Sequence, residues 1–184
     1  MPDNAIKLVL LVFLAAPLAC AQQTKREITR PANPAEDARP NSSAVPEVSA
    51  FSTQFQRVVL LRFKYGTDLL AGLERMVKEQ GIPNAVILAG MGSVRNYQVH
   101  AVKNRSFPST DEFIEDPTAP ADILSMNGYI LNGRIHAHIT LSTGDRAFGG
   151  HLEPHTNVFT FAIITVGVLA TTADLSRLDD QTLR

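Results

Sequence analysis

The sequence predicts an α+β fold in which a mixed, largely antiparallel sheet carries one main helix packed on it. Three observations lead there. At least five runs of strand length are rich in β-branched and aromatic residues. A single stretch, ending at Gln80, spaces its apolar residues for a helix. Between two of the later runs stands Asn132-Gly133, a pair suited to a two-residue hairpin turn. One early helix followed mostly by strands is the order of an α+β domain rather than of alternating βαβ units.

Taken in order, "RVVLLRF" (Arg57 to Phe63) reads as a strand ended at the turn residue Gly66, with Thr67 or Asp68 as the cap of the next element. From there to Gln80, Leu69, Leu70, Leu73, Met76 and Val77 form one apolar stripe, while Glu74, Arg75, Lys78 and Glu79 face out. Gly81 is placed to stop this helix. "NAVILAG" (Asn84 to Gly90) lacks polar alternation, so it predicts a strand buried on both faces. "GMGS" (Gly90 to Ser93) predicts a close turn, because it lacks dinucleotide-binding spacing and no helix pattern follows. Val94 to Val102 predicts a further strand, and the acidic, proline-containing Asn104 to Asp122 a surface loop. Ile123 to Leu131, Gly133 to Ser142 and Val158 to Leu169 complete the strands.

The ends divide from this domain by composition. Lys7 precedes "LVLLVFLAA" (Leu8 to Ala16), and small residues at Ala19 and Ala21 offer a cleavage site before Gln22, so residues 1–21 predict an export signal. That apolar run is shorter than the roughly 20 residues of a membrane-spanning helix. The location expected is therefore periplasmic or extracellular. Cys20, the one cysteine, lies in this leader, so the folded part can form no disulfide. Cutting at Ala21 removes it, whereas cutting before Cys20 would leave a lipid-modifiable terminus and membrane attachment. Residues 22–50 hold four prolines and little that is large and apolar, which predicts a disordered linker. Residues 51–172 form the domain and residues 173–184 a polar C-terminal tail.

Charge restricts the partners. The chain has 17 basic and 18 acidic side chains. Residues 1–21 contain one of each, so the exported part keeps a slight acidic excess and offers no surplus of cations to phosphate backbones. Nucleic acid is not an expected partner.

Four of the five histidines lie between Gly133 and His155. If Arg134 to Ser142 is a strand, Ile135, Ala137, Ile139 and Leu141 fall on one face, and Arg134, His136, His138, Thr140 and Ser142 on the other. His136 and His138 then project together from Cα atoms roughly 7 Å apart, a separation from which two imidazoles can hold one ion. Zinc keeps an open position for water with three protein ligands. His151 can be the third, brought back by a tight turn at Gly149-Gly150. Glu153 and His155 stand as additional site residues. The same alternation also describes a half-exposed strand whose histidines face water or an oligomer interface, and periodicity leaves both readings open. His100, in "YQVHAV", reads as a sheet residue without a chemical task. No GxSxG elbow supports a nucleophilic triad around Ser93, Ser142 and Asp145.

"RFKYGTDLLAGLERMVKEQGIPNAVILAGMGSV" and "NGYILNGRIHAHITLSTGDRAFGGHLEPHTNVFTFAII" together resemble the PPC (plants and prokaryotes conserved) domain, whose pattern joins a G-x-D-L helix start, a G-x-G-S turn, an H-x-H strand and a G-G-H-L turn. The resemblance covers about Phe55 to Thr172. It implies a homotrimer, and it supports a metal, zinc in the first place, at His136, His138 and His151. In plants the domain follows an AT-hook that reads DNA. Here the N-terminal tract has no R-G-R-P core, Arg39-Pro40 being the nearest approach.

Three functions follow as expectations. The first is an exported homotrimer that holds a metal ion through three histidines and takes a small-molecule ligand. The second is a metal-assisted hydrolase or lyase in which the ion activates water and Glu153 serves as base. The third, a DNA-associated regulator, rests on the family's labelling as DNA-binding alone, with no AT-hook present.

Overall fold

The computed structural model describes residues 24–40 and 42–180. The expected export signal and Cys20 lie outside the described residues. Eight strands form one sheet, every pairing antiparallel: β1 (Lys25–Thr29), β2 (Phe55–Lys64), β3 (Ala85–Val102), β4 (Asp111–Asp116), β5 (Ala121–Leu131), β6 (Arg134–Ser142), β7 (Ala147–Leu152) and β8 (Asn157–Leu169). The helices are a single turn, α1 (Pro34–Asp37), and the main helix α2 (Leu69–Glu79); a 3-10 turn follows at Ser176–Asp179. The fold is thus mostly β with one main helix, and the sheet expected to be mixed contains no parallel pair among the described residues.

The helix forms where its apolar stripe predicts. Asp68 caps it by accepting a hydrogen bond from the Ala71 N–H at 3.0 Å. Gly81, with φ +58°, ends it: the Gly81 and Ile82 N–H groups bond back to the Lys78 and Val77 carbonyls. Leu69, Leu73 and Val77 are buried against the β2 face that carries Leu61 and Phe63. The opposite β2 face turns Val58 and Leu60 outward.

β3 organises the rest. "NAVILAG", "GMGS" and Val94 to Val102, expected as two strands and a turn, run as one 18-residue strand. The turn residues are absorbed as irregularities of its pairing with β8, whose register shifts between Gly92 and Asn96. β3 pairs with β5 and β8 along its first half, and with β4 and β7 along its second. Because β5, β6 and β7 also pair in sequence, β3–β5–β6–β7 closes on itself as a small barrel. Val99, Ile139, Leu141 and Leu152 belong to the core it encloses.

Asn132 and Gly133 adopt φ of 51° and 77° between β5 and β6, the two positive values that a type I′ hairpin turn requires. Two segments differ from expectation. The loop expected over Asn104 to Asp122 contains β4, because Asp111 to Asp116 pairs in register with β3 and each of its faces sets one apolar residue, Phe113 or Ile114, between two acids. The linker expected over residues 22–50 contains β1, laid along the outer edge of β4. Both strands are short and charged on their outer face, so composition alone reads them as solvated chain.

Candidate metal centre

The strand register gathers the imidazoles. His138 of β6 stands opposite His151 of β7, and His151 stands opposite His100 of β3. Three histidines therefore form one row across three strands, with Asn127 of β5 and Phe113 of β4 extending it at either end. His136 lies two residues along β6 on the same face. Alternation places the neighbours Ala137, Ile139, Val99 and Leu152 in the core, so all four rings project from the barrel's outer wall.

Gly149 and Gly150 have a different part from the turn expected of them. Both are β7 residues, held between β6 and β3. A Cβ on Gly149 would lie 2.1 Å from the Ile139 carbonyl oxygen, and one on Gly150 2.2 Å from that of His100. Only glycine lets the three backbones come this close. The reversal that returns the chain to β6 lies upstream, at Thr143 to Arg146.

The rings form one interacting group. His136 Nε2 and His138 Nε2 are 3.3 Å apart. Two nitrogens each about 2.0–2.1 Å from a tetrahedral ion lie about 3.4 Å apart, so this spacing fits an ion between them. The His151 ring centroid is 5.0 Å from that of His136, 5.7 Å from that of His138 and 4.6 Å from that of His100, on which it stacks. His100 in turn lies 4.9 Å from the Phe113 ring.

Carboxylates fix the other ring nitrogens. Glu153 Oε1 accepts from both His100 Nδ1, at 2.6 Å, and His151 Nδ1, at 2.9 Å. Asp179 Oδ1 accepts from His136 Nδ1 at 2.7 Å. A carboxylate on Nδ1 selects the tautomer whose Nε2 carries the free lone pair, the usual arrangement behind a metal-binding histidine. His100, His151 and Glu153 also bring three donor atoms within 4.8 Å of one another. Burial, reinforced by the neighbouring imidazoles, holds the His138 ring below the usual histidine range. Burial does the same for His151, although the Glu153 hydrogen bond opposes it. Both effects favour the neutral ring that a metal needs.

Of the residues expected at a site, the structure groups His136, His138, His151 and Glu153, and it sets His155 apart. His155 has φ +69°. Its N–H donates to Asp68 Oδ2 at 2.6 Å, and its carbonyl accepts from the Asn96 amide. Its backbone fastens the β7–β8 connection to the cap of α2. His100 and Asp179 are additions. His100 was hidden because its membership depends on register between strands 50 residues apart in sequence, and Asp179 because the tail appears merely polar.

The group opens onto a cleft of about 1090 Å³ that includes Arg105, Phe107 and Arg134. On its other side His136 and His138 line a second cleft, of about 600 Å³, with Phe51, Tyr129 and Leu178.

The sequence pattern of the Plants and Prokaryotes Conserved (PCC) domain matches residues 50–170, and the chain belongs to this family. Among solved structures, a metal-containing protein from Archaeoglobus fulgidus is 26% identical, with a TM-score of 0.61 over 73% of this chain and 95% of its own. A plant- and prokaryote-conserved protein from Pyrococcus horikoshii is 24% identical, with a TM-score of 0.55 over 67% and 86%. A protein from Salmonella enterica is 22% identical, with a TM-score of 0.53 over 65% and 81%. The last two show the fold alone. No curated protein matches the chain.

Proposed function

We propose that the protein is an exported homotrimer that binds a transition metal, zinc in the first place, through His136, His138 and His151. The observation that carries this reading is the 3.3 Å approach of His136 Nε2 to His138 Nε2, with Asp179 and Glu153 holding Nδ1 of His136 and His151. The metal content of the Archaeoglobus relative supports it. His100 stacks on His151 and shares its Glu153 oxygen, so with those two residues it offers a second set of donor atoms beside the trio.

Trimer formation draws support from the face of β2, β8 and β3 that lies opposite α2. Leu60 (70% exposed), Met91 (60%) and Val58 (56%) lie on it beside Phe161. A monomer rarely leaves such a patch to water. Light scattering on purified protein tests the assembly. Mass spectrometry of the exported form tests processing, with a first residue of Gln22 expected and a lipid-modified Cys20 as the contrary result.

The large cleft beside the histidines favours a second reading, a hydrolase or lyase acting on a small molecule at the bound ion. Glu153 is a poor base for it, since Oε1 already accepts two ring N–H groups. Elemental analysis of protein purified without chelator decides the metal reading. Turnover of ester and phosphoester panels by the loaded protein, lost on chelation, would support the enzyme.

A further inference from the structure

The described C-terminal residues beyond the family match, 171–180, are fastened to the domain around the buried Asn84. Asn84, 2% exposed, donates from its side chain to the Ala173 carbonyl and accepts from the Asn132 N–H. Asn132, at the β5–β6 turn, in turn donates to Asp174 and accepts from the Leu175 N–H. Leu175, 4% exposed, packs with Leu131 and Leu169 beside Val86. The 3-10 turn that follows brings Asp179 onto His136. It is also the partition between the two clefts, since Asp179, His136 and His138 border both.

We propose that this C-terminal segment is a strap that completes the metal centre, with Asp179 as the residue that positions His136. This rests on the metal-binding reading above. Asp179 takes the His136 Nδ1 proton as a hydrogen bond, so the Nε2 lone pair is left facing His138. Without Asp179, His136 Nδ1 faces the cleft, the ring samples both tautomers and both flips, and part of the population presents a protonated Nε2 to the ion. Glu153 does the equivalent work for His151 from β7, within the family-matched span. Asp179 does it from outside that span. Leu175 and the two asparagines set the strap's position; Asp179 supplies its chemistry.

The experiment compares wild type with Asp179→Asn and Leu175→Ala in the full exported chain. Zinc affinity is measured by competition with a chromophoric chelator, and the His136 tautomer in metal-free protein by nitrogen-15 imidazole NMR. In wild type the His136 proton is on Nδ1. Asp179→Asn is expected to weaken zinc by about 10–100-fold and to shift His136 toward a tautomer mixture, with the apo melting temperature unchanged. Leu175→Ala, which detaches the strap but keeps the carboxylate, is expected to move both readouts in the same direction. Wild-type zinc affinity in Asp179→Asn overturns the proposal, as does an affinity loss with an unaltered His136 tautomer. If wild type binds no zinc, the metal reading fails, and the tautomer comparison alone decides whether Asp179 positions His136.

Discussion

Gly150→Ala is the substitution that probes how the centre is assembled. The new Cβ would sit 2.2 Å from the His100 carbonyl oxygen, where ordinary contact begins at 3.4 Å, so β7 and β3 must part by about 1.2 Å. Neighbouring strands lie about 4.8 Å apart, and such an opening breaks the local ladder bonds. Forced repacking of this kind costs about 1–3 kcal/mol, and each kcal/mol lowers Tm by roughly 2–4 °C in a chain of this size. His151 moves with β7, and a site tolerates about 0.5 Å of misplacement. Zinc affinity should therefore fall about tenfold or more. Gly144→Ala, in the connection between β6 and β7, is the control, because a Cβ there meets nothing within 4 Å. Calorimetry and chelator competition on both variants check the account. Equal Tm and equal affinity for Gly150→Ala and Gly144→Ala would refute the close-approach role of the glycine pair.

Further outcomes are expected. Because His138 and His151 are held below their ordinary value near 6.5, the unfolded chain binds protons that the folded apo chain refuses. Apo stability should then decline as the pH falls from about 6.5 through the depressed values; denaturant midpoints across that window, repeated on a His138→Gln, His151→Gln variant, should show the slope shrinking. Asp68→Ala removes the helix cap and the His155 N–H contact together, and urea unfolding should show a loss at or above the upper part of about 0.5–2 kcal/mol. Leu73→Ala empties a fully buried position under α2, with a loss of about 2–5 kcal/mol by the same assay. Leu60→Arg places a charge on the outward face of β2, and light scattering is expected to report a monomer for it and a trimer for the wild type.

The elements that could be read from the chain are those whose pattern is local. The β6 alternation, the α2 stripe with Asp68 and Gly81 at its ends, and the Asn132-Gly133 turn each depend on residues within a few positions of one another. His136 and His138 were legible for the same reason. His100 was not, because one strand's pattern says which face a residue takes but not which residue stands opposite it; the closed β3–β5–β6–β7 barrel decides that. β1 and β4 were missed because these two short strands at the margin of the sheet carry charges that resemble a loop. Gly149-Gly150 was recognised as special for the wrong cause, since a glycine needed for close approach and one needed for a turn are the same letter. Asp179 could have been suspected only from Leu175 and Leu178, the leucines that precede it most closely and keep this stretch from being wholly polar.

The central claim is tested most directly by the metal content of protein purified without chelator, compared with that of His136→Ala, His138→Ala and His151→Ala. About one zinc-type ion per wild-type chain is expected, with most of it lost in each variant. A wild-type protein without stoichiometric metal, or variants that keep it, would contradict the account.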